Sequence, residues 1–185
     1  MTIQTLSAVG VRWDLSDLFA SHDDPRIQDT LADCRARAQA FAQRYRGTIN
    51  IAGGPEPQHM QGAIRELEEL QEALGRVGAF AGLTYASDTS RPEYRDLRER
   101  VELQTTEIGN LILFFELEWI GLPEDVADRL MGAPVLVGYR HYLRRSRRFR
   151  PHILSEPEEQ LLNERDNTAM RKPMQFEAKS ALPLS

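Results

Sequence analysis

The stretch PEYRDLRERVELQTTEIGNLILFFELE, Pro92 to Glu118, places Tyr94, Leu97, Val101, Gln104, Ile108, Leu111, Phe115 and Glu118 at alternating steps of three and four. That spacing keeps one face of an α-helix aligned for more than three heptads. About 25 residues at about 1.5 Å each make a helix roughly 38 Å long. Gln104 leaves one weak polar layer within the seam. A half-buried strand would instead alternate with period two, and no such alternation is sustained anywhere in the chain. The fold class predicted is all-α.

Upstream, Met60, Ile64, Leu67, Leu74, Val77 and Ala81 repeat with the same period and predict a second long helix reaching about Tyr85. The turn Ser87 to Arg91 joins the two, which pack most simply as an antiparallel hairpin. Gly75, Gly78 and Gly82 lie inside this helix, each costing up to about 1 kcal/mol of helix propensity relative to Ala. Two readings of them stand side by side, a site where another helix backbone approaches closely and a locally softened helix. Earlier still, Asp23-Asp24-Pro25 is a helix start, with an Asp cap and a proline whose missing N–H would go unpaired anyway. Ile27, Leu31, Cys34, Ala38, Phe41 and Tyr45 form its apolar stripe, which ends at Arg46-Gly47. Trp13, Leu15, Leu18 and Phe19 form an apolar strap in a loop or short helix. Shorter helices are expected over about 124–131, 134–145 and 156–170. Ser155 and Glu158 open the last as a capping box. The chain thus divides into a strap over 1–24, a helical domain over 25–168 and an irregular tail over 169–185.

Lys and Arg number 23 against 28 Asp and Glu in 185 residues, a net charge of −5. The longest apolar run, Leu111 to Phe115, is five residues, far short of the roughly 18–20 that cross a bilayer. The amino terminus has no Lys or Arg before Arg12 and lacks the build of a secretory signal. Cys34 alone can form neither an internal disulfide nor a multi-cysteine zinc site, so the expected compartment is the cytoplasm. Overall acidity argues against a general nucleic-acid binder and makes that partner unexpected.

Candidate chemistry is sparse. Of His22, His59, His141 and His152, no two are four apart, and no H-E-x-x-H occurs. Cys34 falls on an apolar stripe and reads as a core thiol. Gly53-Gly54-Pro55 follows no strand and lacks a Lys-Ser/Thr tail. Glu66, Glu68 and Glu69 read as a solvated helix face. No catalytic residue, metal ligand or cofactor is therefore assigned.

Tyr139 to Arg150 holds six Arg, three aromatics and no acid. Three readings compete: phosphate or nucleic-acid binding, capture of acidic peptides by arginine forks, and internal pairing with Glu156, Glu158, Glu159 and nearby helix carboxylates. The last is favoured, with some arginines buried against Trp119 or tyrosine rings. Tyr139, Arg140, His141, Tyr142, Arg147, Arg148 and His152 are the candidate peptide- or partner-contacting residues. A stand-alone helical interaction module, binding acidic peptide or nucleic acid through 139–150, is the alternative function.

Several segments, taken in order, resemble the amino-terminal region of oligoendopeptidase F, within the thimet-oligopeptidase-like zinc metallopeptidases. They are Arg12 to Phe19 (RWDLSDLF), Tyr45-Arg46-Gly47, Phe115 to Trp119 (FELEW), Tyr139 to Leu143 (YRHYL) and Arg147 to Glu159 (RRFRPHILSEPEE). The resemblance covers about residues 11–165. It implies a helical domain with a long hairpin that closes like a lid over a channel for short unfolded peptides. The family's zinc, held by H-E-x-x-H and a further Glu, lies well downstream of the matched part, so the resemblance implies a chain that is not catalytic alone. Its expected partners are the catalytic domain or a second copy, with oligopeptides as the family's substrates and no membrane. Beyond about Asn167-Thr168 the family pattern is lost, which reads as truncation or frame disruption before the catalytic domain.

Overall fold

Each of the three long helices opens on a proline, which has no N–H to leave orphaned in the first turn. They are α1 (Pro25–Tyr45), α2 (Pro57–Ser87) and α3 (Pro92–Gly121). The computed structural model describes residues 14–148 and 154–165. α4 (Glu124–Gly132), a 3-10 turn (Pro134–Tyr139) and α5 (Arg140–Arg147) follow, and α6 covers residues 156–165. No strand occurs among the described residues, so the all-α expectation holds. No helix among them is long and apolar enough to cross a membrane.

α1, α2 and α3 each pack against the other two. The predicted stripe of α1 is buried in full, from Ile27 to Tyr45. Asp24 caps this helix, accepting from the N–H groups of Arg26 at 2.9 Å and Ala20 at 2.8 Å. The Arg26 side chain on the same carboxylate, with these N–H bonds, holds its carboxyl far below the ordinary range. At the other end, Gly47 takes the left-handed conformation at φ 75°. The strap packs as expected where it is described: Leu15 and Leu18 lean on the core, and Phe19 meets Phe80 edge-on at 5.1 Å. Trp13 and the span 166–185, with the expected tail, lie outside the described residues.

Three expectations are corrected. In α3 the buried set is Leu97, Val101, Ile108, Ile112, Phe114, Phe115, Trp119 and Ile120, so beyond Ile108 the expected Phe115 is buried but the seam shifts by one residue from Leu111 to Ile112 and from Glu118 to Trp119. A straight helix drifts about 20° per heptad from a 3.5 repeat, and the far end of α3 also meets α5. Leu111 and Glu118 are therefore only partly buried. The polar seam position Gln104 forms a reciprocal amide pair with Gln28 of α1 at 3.3 Å. Secondly, the glycines of α2 are not a close-approach site: a Cβ at Gly75, Gly78 or Gly82 would have no non-neighbouring atom within 4 Å. Thirdly, the helix expected over 134–145 divides into the 3-10 turn and α5. The last expected helix is seen over 156–165, and the rest of its span lies outside the described residues.

Because Gly75 and Gly78 are open helical positions, Gly75→Ala and Gly78→Ala should each stabilise the protein by about 0.4–1 kcal/mol. Gly54→Ala should destabilise, since its Cβ would lie 2.4 Å from Val126 Cγ1 at a backbone φ of 72°. Urea titration of the three variants checks both signs.

Candidate functional site

The carboxyl end of α3 is where most of the distinctive sequence segments converge. Glu118 turns its carboxylate into the loop after α1, accepting from the N–H groups of Gly47 at 2.7 Å, Ile49 at 3.1 Å and Asn50 at 3.2 Å. Three donors on one carboxylate fix that loop against α3. The next residue, Trp119, is 1% exposed and donates its indole N–H to the Leu143 carbonyl at 3.0 Å and to Ser146 Oγ at 3.1 Å. It thereby locks α5 onto α3.

Arg147 completes the junction from α5. Its guanidinium donates to the carbonyls of Trp119 at 2.9 Å, Ile120 at 3.3 Å and Leu122 at 2.9 Å, and to Glu124 at 2.7 Å. It lies 5.4 Å from the Trp119 ring. The last carbonyls of a helix have no partner within it, and a cation there also complements the helix dipole. Arg140 does the same for α4, donating from Nε to the Met131 carbonyl at 2.8 Å. Arg46 stacks 4.4 Å from the Phe114 ring and grips both oxygens of Glu156 at 2.8 and 2.9 Å, tying α6 to α1 and α3.

The basic run is thus divided: Arg140 and Arg147 turn inward, with partners that differ from those the favoured reading named. Arg147 is buried against Trp119 as anticipated, but its acid is Glu124. Glu156 belongs to Arg46, and Glu158 accepts from the N–H and hydroxyl of Ser155, which is the glutamate half of the predicted capping box. Arg144, Arg145 and Arg148 are exposed.

Among the candidate contact residues, Arg147 and Arg140 are committed to helix ends. Tyr139 is half-buried and donates its hydroxyl to Glu68 at 3.0 Å. His141 and Arg148 are exposed, Tyr142 is 37% exposed, and His152 lies outside the described residues. The surrounding protein, followed by Glu116 and Glu68, pushes the Tyr142 phenol up to about 12. Crowding, then Glu159, also raises the Glu116 carboxyl. Glu68 and Glu69 are exposed and Glu66 half-exposed, in keeping with the solvated face expected, and from that face they accept from Tyr139, from Arg37 and from Arg44 and Tyr45 respectively. Cys34 is fully buried, and burial raises its thiol pKa, as suits a core position. Among the described residues no group of three or more His, Cys, Asp and Glu side chains can hold a metal ion.

Sequence reasoning missed the roles of Glu118, Arg46 and Arg147 as clamps. An acid at a seam position of α3 was the available signal for Glu118. Nothing in the one-dimensional pattern pairs Arg46 with Glu156 across 110 residues. Arg147→Ala should destabilise the protein by about 2–4 kcal/mol, because several carbonyls at the end of α3 lose their donor. Arg147→Lys should recover little of this, since an ammonium cannot span the same fork. Glu124→Gln, at an exposed acid, should cost under about 1 kcal/mol. Chemical denaturation followed by Trp fluorescence ranks the three.

The amino-terminal peptidase-family model described as Oligopeptidase F matches residues 118–173, a span that begins at Glu118 and takes in the α3–α5 junction and α6. Oligopeptidase PepF of Bacillus subtilis is 25% identical over 122 residues, covering 65% of this chain and 18% of that protein. Group B oligopeptidase PepB of Streptococcus agalactiae is 29% identical over 101 residues, 54% of this chain and 17% of that protein. The plasmid oligoendopeptidase F of Lactococcus lactis subsp. cremoris is 21% identical over 158 residues, 81% of this chain and 24% of that protein. The crystal structure of a candidate peptidase from Chlamydophila abortus shares the fold, with a TM-score of 0.54 and 17% identity over 91% of this chain and 27% of that one. This chain spans about a fifth of the length of the curated relatives it matches. On these matches the chain is similar to the amino-terminal domain of oligoendopeptidase F-like peptidases.

Proposed function

We propose that this chain supplies the non-catalytic, lid-like part of an oligopeptide-cleaving zinc peptidase, shaping access for short unfolded peptides to a catalytic centre held elsewhere. The observation that carries the reading is the placement of the family-matched span. It coincides with a junction whose polar side chains are spent on helix ends and loop N–H groups. Such residues build a rigid wall and perform no bond chemistry.

The donor set on hand does not fit the family's zinc. The sequence contains no H-E-x-x-H, and the described acids and histidines do not converge. No catalytic step is therefore routed through this chain. His141, Tyr142 and Arg148 face outward on α5 and its end and are the residues we assign to contact with peptide or with the catalytic domain. We place this role in the cytoplasm, in line with a sequence whose single cysteine forms no internal disulfide.

Purified chain incubated with a quenched fluorescent oligopeptide and added zinc should release no product. Turnover that a chelator abolishes would overturn the reading. His141→Ala and Arg148→Ala should each change stability by less than about 0.5 kcal/mol, as expected of surface positions left for a partner. A larger loss on denaturation would reassign that residue to holding the fold.

A further inference from the structure

α6 is amphipathic in the reverse sense. Its inner face is polar: Glu156 pairs with Arg46, Gln160 donates to the Asn110 carbonyl at 3.4 Å, and Asn163 donates to Asn110 Oδ1 at 3.0 Å. These positions, i, i+4 and i+7, make one stripe along α3. The opposite stripe holds Glu158, Leu161, Leu162 and Arg165, with Leu161 56% and Leu162 40% exposed. Leu154, just before the helix, is 44% exposed. A surface helix ordinarily buries its leucines and wets its amides, so an outward leucine face flanked by charges marks an interaction surface.

We propose that this face binds a second copy of the chain, with the two α6 helices antiparallel about a two-fold axis between Leu161 and Leu162. That arrangement sets Leu161 of one copy against Leu162 of the other. It also sets Glu158 of each against Arg165 of the other, because the two residues lie equally far from the axis at either end of the stripe. The charge pattern is thus self-complementary, as a two-fold interface requires. Hydrogen bonds from Ser155 keep Glu158 ionised by lowering its pKa, without removing it from the surface. One short helix per copy makes a small interface, so the dimer is weak. The inference is independent of the peptidase reading, since it concerns assembly alone.

Sedimentation equilibrium of the full chain, from about 5 to about 500 μM, tests it. The mass-average should climb from monomer toward dimer. The double variant Leu161→Glu, Leu162→Glu should weaken association at least about tenfold with an unchanged far-ultraviolet circular dichroism spectrum. Glu158→Arg and Arg165→Glu should each weaken it alone, and mixing the two variants should restore dimers, because both cross-axis pairs are then of opposite sign. A monomer at every concentration overturns the proposal. So does association that persists in the leucine double variant, or a mixture that stays monomeric.

Discussion

A guanidinium buried at the end of a helix imposes a strict condition. It must find acceptors in the protein for the hydrogen bonds it gave up in water, or the site is unstable. Arg147 meets the condition at both terminal nitrogens, with three carbonyls from the end of α3 and the segment after it plus the carboxylate of Glu124, while its buried Nε has no hydrogen-bond partner. The same bonds satisfy groups that α3 itself leaves orphaned. Because the donor sits on α5 and the acceptors run from α3 to the start of α4, one side chain sets the mutual placement of three helices. Trp119 answers from the other side, with its indole N–H on the Leu143 carbonyl.

Around this contact the remaining clamps follow a common logic, in which charged side chains are spent on backbone groups that helices and turns cannot satisfy alone. Glu118 serves the N–H groups of 47–50, Arg140 serves the end of α4, and Asp24 serves the start of α1. Chemically suggestive residues thereby become architecture. A segment with six arginines reads on paper like a phosphate or peptide binder. In the fold, two of those arginines hold helix ends, while Arg144, Arg145 and Arg148 remain on the surface.

Much of the fold was legible because helical burial is written in spacing. The stripe of α1 and the apolar set read for α2 are buried at every expected position. The α3 seam was read correctly at Leu97, Val101, Ile108 and Phe115 but was one residue off at Leu111 and Glu118, where a local period ceases to describe a helix that meets different neighbours on different sides. The three glycines of α2 were ambiguous because a missing side chain signals either close approach or mere tolerance, and only neighbouring coordinates distinguish the two. Among the candidate contact residues, the sequence could not sort Arg147 from Arg148, adjacent residues of which one is buried and the other exposed.

Sequence by itself determined the all-α class, the starts of α1 and α3, the α2–α3 hairpin and the ordered segments that resemble oligoendopeptidase F, because propensity, caps and period act over a few residues. Tertiary structure decided which charges are used inside the protein. Pairing Arg46 with Glu156, Glu118 with the 47–50 loop and Arg147 with the end of α3 needs groups 110, about 70 and about 25 residues apart to meet. No local pattern encodes such a meeting. It arises when the long helices pack, bringing together orphaned backbone groups that only those side chains can reach.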